Sequence, residues 1–361
     1  MPVIFTTEIH PNPTPDAARA ALLENPAWGR VFTDHMVTAR HTREAGWGDW
    51  TIGPRRNLEL HPGTKVLHYG LEIFEGLKAY RQPDGGAALF RPDMNARRFA
   101  RSAERMAMPP ITEEQFLESV RGIARREDAW IPSTPGATLY LRPFMIATEE
   151  ALLTTPASEH LFAVVACPVA DYFGGKPSTI TIWVSENFTR AAPGGTGFAK
   201  CGGNYGSGLA AQAEAQREGC QQVVFLDAVE RQWVEELGGM NIFFVFADGS
   251  LRTPPLTGTI LPGVTRDSLI ALGRHLGMAV SEEPYSIGEW RRDVASGRLA
   301  EVFACGTAAV ITPIARVKGN GFDLIIGDGK VGPVSATLRA TLTGIQFGHA
   351  PDPFGWMHRL A

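Results

Sequence analysis

Gly194-Gly195-Thr196-Gly197-Phe198-Ala199-Lys200-Cys201-Gly202-Gly203-Asn204-Tyr205-Gly206 sets six glycines around one lysine. Glycine lets a backbone approach a ligand closely and adopt dihedrals closed to other residues. A lysine amine in that setting suits imine formation with a carbonyl. Taken alone, such a loop more often carries a solvated lysine, and the spacing of a phosphate P-loop is missing. Lysine is scarce, however. Only Lys65, Lys78, Lys176, Lys200, Lys318 and Lys330 occur among 34 basic residues, so a reaction that needs an amine has few candidates.

Outward from this stretch, Ile180–Val184 and Val223–Asp227 read as strands, and Leu209–Glu218 as a helix of small residues. Asn241–Phe246 and Leu251–Thr253 surround Asp248-Gly249, a hairpin signal. Arg266–Leu276 reads as a helix ended by Gly277. Val302–Cys305 is a buried strand that leads into Gly306-Thr307-Ala308. Toward the N-terminus, Glu113–Glu127 has Phe116, Leu117, Val120 and Ile123 at helical spacing, and Met94–Met108 is a helix with four arginines. Thr138–Met145, Leu161–Cys167 and Ala87–Phe90 read as strands, and Lys65–Tyr69 as a β-like run. The first few dozen residues form an extended arm with a short helix near Asp16–Leu23. Tyr172-Phe173-Gly174-Gly175-Lys176-Pro177 is punctuated by Gly and Pro and reads as a linker. The pattern is a two-domain α+β or α/β enzyme: residues 1–170 a small N-terminal domain, 171–179 the linker, 180–361 a larger C-terminal domain.

The 361 residues exceed one typical core. A 44% hydrophobic and 20% charged composition is that of a globular protein. The net charge of −4, with acids and bases mixed, argues against a nucleic-acid partner. Four cysteines without close pairs and nine histidines without an HExxH pair give no metal-ligand spacing, and favour reduced thiols. The start lacks a signal peptide, and Val302–Ala315 is too short to span a bilayer. The expectation is a soluble cytoplasmic protein with no membrane partner.

Other segments offer chemistry with an equally ordinary reading beside it. Glu235-Glu236-Leu237-Gly238-Gly239-Met240-Asn241 places a carboxylate before an apolar strand, as a polar turn also would. Leu261-Pro262-Gly263-Val264-Thr265-Arg266 precedes a helix, whose first N–H groups attract anions; Thr265 as a plain cap fits equally well. Gly306-Thr307-Ala308 suits close contact with a phosphate or carboxylate, or is a loop. Tyr69, Phe74, Tyr140, Arg142 and Tyr172 lie near strand or loop ends. The arginine among these aromatics could recognise a carboxylate.

Together and in order, these segments resemble the branched-chain aminotransferases, class IV pyridoxal-phosphate enzymes. Phe32-Thr33-Asp34-His35-Met36, Leu67-His68-Tyr69-Gly70, Phe74-Glu75-Gly76-Leu77-Lys78-Ala79, Phe90-Arg91-Pro92 with Asn95 and Arg98, and Leu139-Tyr140-Leu141-Arg142-Pro143 carry the likeness. So do 200–206, 236–241, 261–266 and 306–308. The resemblance implies the fold-type IV architecture shared with D-amino-acid aminotransferases. It implies that Lys200 holds pyridoxal 5'-phosphate as a Schiff base and moves the proton. Glu236 would face the pyridine nitrogen and Tyr205 the phenolic oxygen. Arg98, Val264, Thr265 and Thr307 would bind the phosphate. Trp28, Phe74, Tyr140 and Tyr172 would form an apolar substrate pocket, with Thr307 and Ala308 holding the α-carboxylate and Arg142 the second carboxylate of glutamate. Tyr69 would reach the neighbouring subunit's site in a homodimer. The implied reaction exchanges nitrogen between branched-chain amino acids and 2-oxoglutarate or glutamate. Within the same fold, D-amino-acid aminotransferase or aminodeoxychorismate lyase chemistry is the alternative. Two features depart from some members: Ala309 and Thr312 replace a redox Cys pair, and Gly239 replaces a threonine.

Overall fold

The computed structural model describes residues 3–170 and 179–360. The chain divides into two compact units. The first holds 1–175, 199–202 and 345–361, and the second holds 176–198 and 203–344. The sequence places all of 180–361 in one C-terminal domain, and two segments depart from that. Ala199–Gly202 belongs to the first unit. So does the C-terminal tail, because Met357–Arg359 pairs antiparallel with Ala87–Phe90. An edge strand offers unpaired N–H and C=O groups to whatever chain can reach it, and no local pattern announces that partner. The expected linker 171–179 lies outside the described residues except for its last position.

Unit 1 is built on a sheet with the order Thr6–Thr7, Gly46–Pro54, His35–Thr42, His160–Val169, Thr138–Ala147, Leu77–Arg81, Ala87–Phe90, Met357–Arg359. Glu72–Phe74 also pairs with Thr138–Ala147. Two helices cover it. Glu113–Arg126 starts at a capping box in which Thr112 and Gln115 satisfy each other's backbone N–H. Its Phe116, Val120 and Ile123 recur at helical spacing and are fully buried. Pro92–Arg105 begins with proline at its first turn. Phe99 meets the rings of Phe116 and Phe162 at 5.5 and 5.6 Å. A phenyl ring in such a core is worth about 3–5 kcal/mol against alanine.

Lys65–Tyr69, β-like in sequence, is a short helix closed by Gly70 in the left-handed region, whose N–H bonds the Val66 carbonyl. Distant ties override its local preference. The buried Lys65 Nζ lies 3.0 Å from Glu149 Oε1 and 2.9 Å from Thr155 Oγ1.

Unit 2 carries a sheet with the order Val234–Leu237, Gln222–Leu226, Ile180–Ser185, Val310–Gly319, Leu299–Gly306, Asn241–Phe246, Leu251–Thr253, Val280–Glu282, with Phe322–Ile325 on Val310–Gly319. Ile180–Ser185 runs parallel to both neighbours. The Asp248-Gly249 turn joins its two strands as expected. Phe243 and Phe303 stack at 5.2 Å, and Phe244 packs on Tyr285 and Trp290. The helix expected from Arg266 begins two residues earlier, spanning Val264–His275.

Candidate active site

In unit 1 the backbone around Lys200 is held on both sides. Its carbonyl accepts from the Phe74 N–H at 3.0 Å, and its N–H donates to Ser102 Oγ at 2.9 Å. Ser102 in turn donates to the Arg98 carbonyl one helical turn back. The Lys200 Nζ lies 4.9 Å from the Phe74 ring centroid. The Arg142 guanidinium lies 4.8 Å from that same centroid and donates to the Tyr140 hydroxyl at 2.9 Å. Trp28 stands 6.0 Å from the Tyr140 ring, its indole N–H on the Ala170 carbonyl. Thus Trp28, Phe74, Tyr140, Arg142 and Lys200, far apart in sequence, form one half-buried cluster. Tyr69 ends its short helix 36% exposed. Tyr172 lies outside the described residues.

Of the four arginines on Pro92–Arg105, only Arg98 is buried. Its Nε and Nη2 grip the two oxygens of Glu75 at 2.6 and 2.8 Å, a bidentate pair. Asn95 and the Gly76 N–H also donate to Glu75. Burial pushes this carboxyl up, but the Arg98 charge, helped by Lys200, outweighs it and holds Glu75 below its ordinary value. From sequence, Arg98 is assigned to a phosphate alone. The structure commits two of its five N–H donors to Glu75.

In unit 2, Glu236 sits on a fully buried strand. Its Oε1 accepts from the Leu261 N–H at 2.7 Å and lies 2.9 Å from Arg190 Nη1. Asn241 Nδ2 stands 3.4 Å from Oε2. Arg190 also donates to the Gly197 and Thr259 carbonyls. The glycine stretch is anchored again where Thr196 and Asn204 exchange two hydrogen bonds, at 2.6 and 2.8 Å. Val264 and Thr265 occupy the first turn of a twelve-residue helix whose N-cap, Gly263, supplies no side-chain cap. Thr265 is therefore not the cap. Thr307 and Ala308 lie in the tight turn that joins Gly306 to its partner Val310. Val310 holds φ at +60°, a costly conformation for a β-branched residue. Tyr205 is half-buried in the short helix Gly202–Gly206.

The Amino-transferase class IV family model matches residues 72–317. The chain is 52% identical over 359 residues to a probable branched-chain-amino-acid aminotransferase of Streptomyces coelicolor, covering 99% of each chain. It is 48% identical over 363 residues to the branched-chain-amino-acid aminotransferase of Mycolicibacterium smegmatis, again with 99% of each covered. The chain belongs to the class IV aminotransferase family.

The fold of this class IV aminotransferase is similar to that of the branched-chain amino acid aminotransferase from Escherichia coli. The TM-score is 0.72 at 29% identity, over 91% of this chain and 99% of that one. The two-unit α/β arrangement is the fold-type IV architecture. The cofactor of this class IV aminotransferase is pyridoxal phosphate; unit 1 offers an amine on Lys200, and unit 2 offers a buried carboxylate on Glu236 and a helix start at Val264 that carries no side-chain cap. Just before that helix start the backbone passes close to Asn241: a Cβ at Gly263 would sit 2.1 Å from Asn241 Oδ1. Gly263→Ala is expected to displace Asn241 and to weaken pyridoxal-phosphate binding about tenfold, a loss of about 1.4 kcal/mol. Fluorescence titration of the apoenzyme measures it, and an unchanged Kd would remove Gly263 from the site.

Sequence reasoning missed Glu75, Ser102 and Arg190. Glu75 and its neighbours stand inside a matching motif. Arg190, in the loop that follows Ile180–Ser185, carries no pattern of its own, and only its buried partner distinguishes it.

Proposed function

We propose that this chain catalyses reversible transamination between L-leucine, L-isoleucine or L-valine and 2-oxoglutarate, giving branched 2-oxo acids and L-glutamate, with pyridoxal phosphate carried on Lys200. The observation that carries this reading is Lys200 itself, its backbone fixed by Phe74 and Ser102 and its amine set against an aromatic wall that includes one arginine.

Pyridoxal phosphate, when bound, supplies an aldehyde carbon for amine exchange and a ring that takes up the electron pair released at the substrate α-carbon. Lys200 would hold the cofactor through its side chain, and its Nζ would serve as the base that takes and carries the substrate α-proton. The Glu236 carboxylate holds a proton on the ring nitrogen, because an opposite charge favours the cationic form. Arg190 orients that carboxylate. The first-turn N–H groups of Val264 and Thr265, the Thr307 hydroxyl and Arg98 bind the phosphate. Tyr205 donates to the phenolic oxygen. Trp28, Phe74 and Tyr140 exclude water from an aliphatic side chain, Tyr172 is assigned to the same pocket, and the backbone at Thr307 and Ala308 orients the α-carboxylate. Arg142 meets the second carboxylate of glutamate, so one pocket accepts both substrates.

The same reading takes the chain as a homodimer with Tyr69 turned toward the partner's site, which the exposure of Leu67 and Tyr69 on one helix supports. A cytoplasmic setting is supported by four free, buried thiols. Among the described residues no helix is long and apolar enough to cross a membrane.

L-Leucine added to the purified holoenzyme is expected to replace the visible absorption of the lysine-bound cofactor by that of its aminated form, and 2-oxoglutarate to restore it. D-Alanine and aminodeoxychorismate are expected to leave the spectrum unchanged. A response to either of these but not to L-leucine would reassign the substrate class.

A further inference from the structure

Glu72 has no part in the roles assigned above, yet its carboxylate lies against the lysine segment. Glu72–Phe74 is a three-residue strand that pairs with Thr138–Ala147, Glu72 opposite Ile146 and Phe74 opposite Phe144. The Phe74 N–H goes not to a strand but to the Lys200 carbonyl, at 3.0 Å. Two residues before Phe74, the Glu72 carboxylate accepts from the backbone N–H of Gly202, two residues after Lys200. With the Lys200 N–H on Ser102 Oγ, the segment is gripped on the lysine itself from two directions and again just beyond it.

Gly202 shows how close this grip is. A Cβ at Gly202 would sit 1.7 Å from Glu72 Oε1 and 2.9 Å from its Cδ. A Cβ at Gly203 would meet nothing within 4 Å among the described residues. Gly202 does not have a positive φ, so its backbone does not require glycine. What requires glycine is the space the Glu72 carboxylate fills.

We propose that Glu72 is a positioning residue for the transamination, its carboxylate clamping the Gly202 N–H so that the Lys200 amine returns to one place in both half-reactions. A carboxylate suits the task because a charge-assisted bond to an N–H is shorter and stronger than a neutral one. Burial pushes this carboxyl up, while the Gly202 N–H and the Arg142 charge draw it down. The proposal rests on Lys200 being the cofactor lysine.

The test compares holoenzymes of wild type, Glu72→Ala, Glu72→Gln, Gly202→Ala and the Glu72→Ala/Gly202→Ala pair. A misplaced lysine is expected to cost Glu72→Ala between about 10- and 100-fold in kcat with L-leucine and with L-glutamate alike, with KM near its wild-type value. Glu72→Gln, which keeps an acceptor oxygen, recovers most of that loss. Gly202→Ala loses activity through the clash, and the double variant falls no further than Glu72→Ala alone, because removing the carboxylate removes the obstacle. Two readouts besides activity accompany these. The pH midpoint of the lysine-bound cofactor's visible band moves in Glu72→Ala and returns in Glu72→Gln, while the apoenzyme's urea midpoint stays at the wild-type value.

Losses that multiply in the double variant overturn the clamp, as does a Glu72→Ala enzyme with wild-type kcat and band midpoint. An apo Glu72→Ala protein that unfolds early would make Glu72 a structural residue and overturn it too. A wild-type protein whose spectrum ignores L-leucine would instead sink the assignment of Lys200, independently of Glu72.

Discussion

Lys200→Ala is expected to lose the visible absorption of the lysine-bound cofactor and to lower kcat for L-leucine by about 10⁴-fold, the upper range for removing a positioned proton-transfer group. Three of the other described lysines are committed elsewhere. Lys65 is fully buried and paired with Glu149. Lys318 bonds the Glu218 carbonyl, and Lys330 pairs with Asp328. Lys78 is buried, its amine 5.5 Å from the Trp28 ring. Absorbance spectra and stopped-flow half-reactions check the prediction. Activity near wild type in Lys200→Ala would remove the basis of the functional assignment.

Arg98→Met should destabilise the protein by about 3–5 kcal/mol in urea unfolding, the usual cost of stranding one member of a buried ion pair. Glu75 is 0% exposed and would keep only the weaker donors, Asn95 and the Gly76 N–H. The pH dependence should change sign as well. In the wild type the folded-state Glu75 carboxyl is held below its ordinary value of 4.5. Its contribution is therefore present above about pH 4.5 and is lost as pH falls through the lowered folded value. Without Arg98, burial dominates and the folded value rises above the unfolded one. The variant should then regain part of its stability as pH falls toward 4.5. Parallel stability–pH curves for the two proteins would show that the pair does not govern Glu75. Replacing both partners by apolar residues of similar volume should cost much less than Arg98→Met alone, since neither charge is then stranded.

Several elements were legible from local sequence. Glu113–Arg126 announces itself through Phe116, Val120 and Ile123 at helical spacing. The Asp248-Gly249 hairpin needs only its turn residues. Trp28, Phe74, Tyr140 and Arg142 were singled out by family likeness, and the structure gathers them into one cluster with Lys200. Other features had no local signal. Arg97, Arg98, Arg101 and Arg105 look alike in composition, and Arg98 differs only because Glu75 waits 23 positions earlier. Arg190 is distinguished by Glu236, on a different strand.

By itself the sequence determined the alternation of strands and helices, the scarcity of amines and the order of the segments that mark a class IV aminotransferase. These depend on side-chain periodicity and turn chemistry, which act over a few residues. Only the tertiary structure decided which arginines are buried, that Lys65–Tyr69 coils, that the C-terminal tail joins the first sheet, and that Glu72 presses on Gly202. Each of those outcomes is set by a partner distant in sequence, because burying a charge or pairing an edge strand is favourable only when the complementary group is already in place.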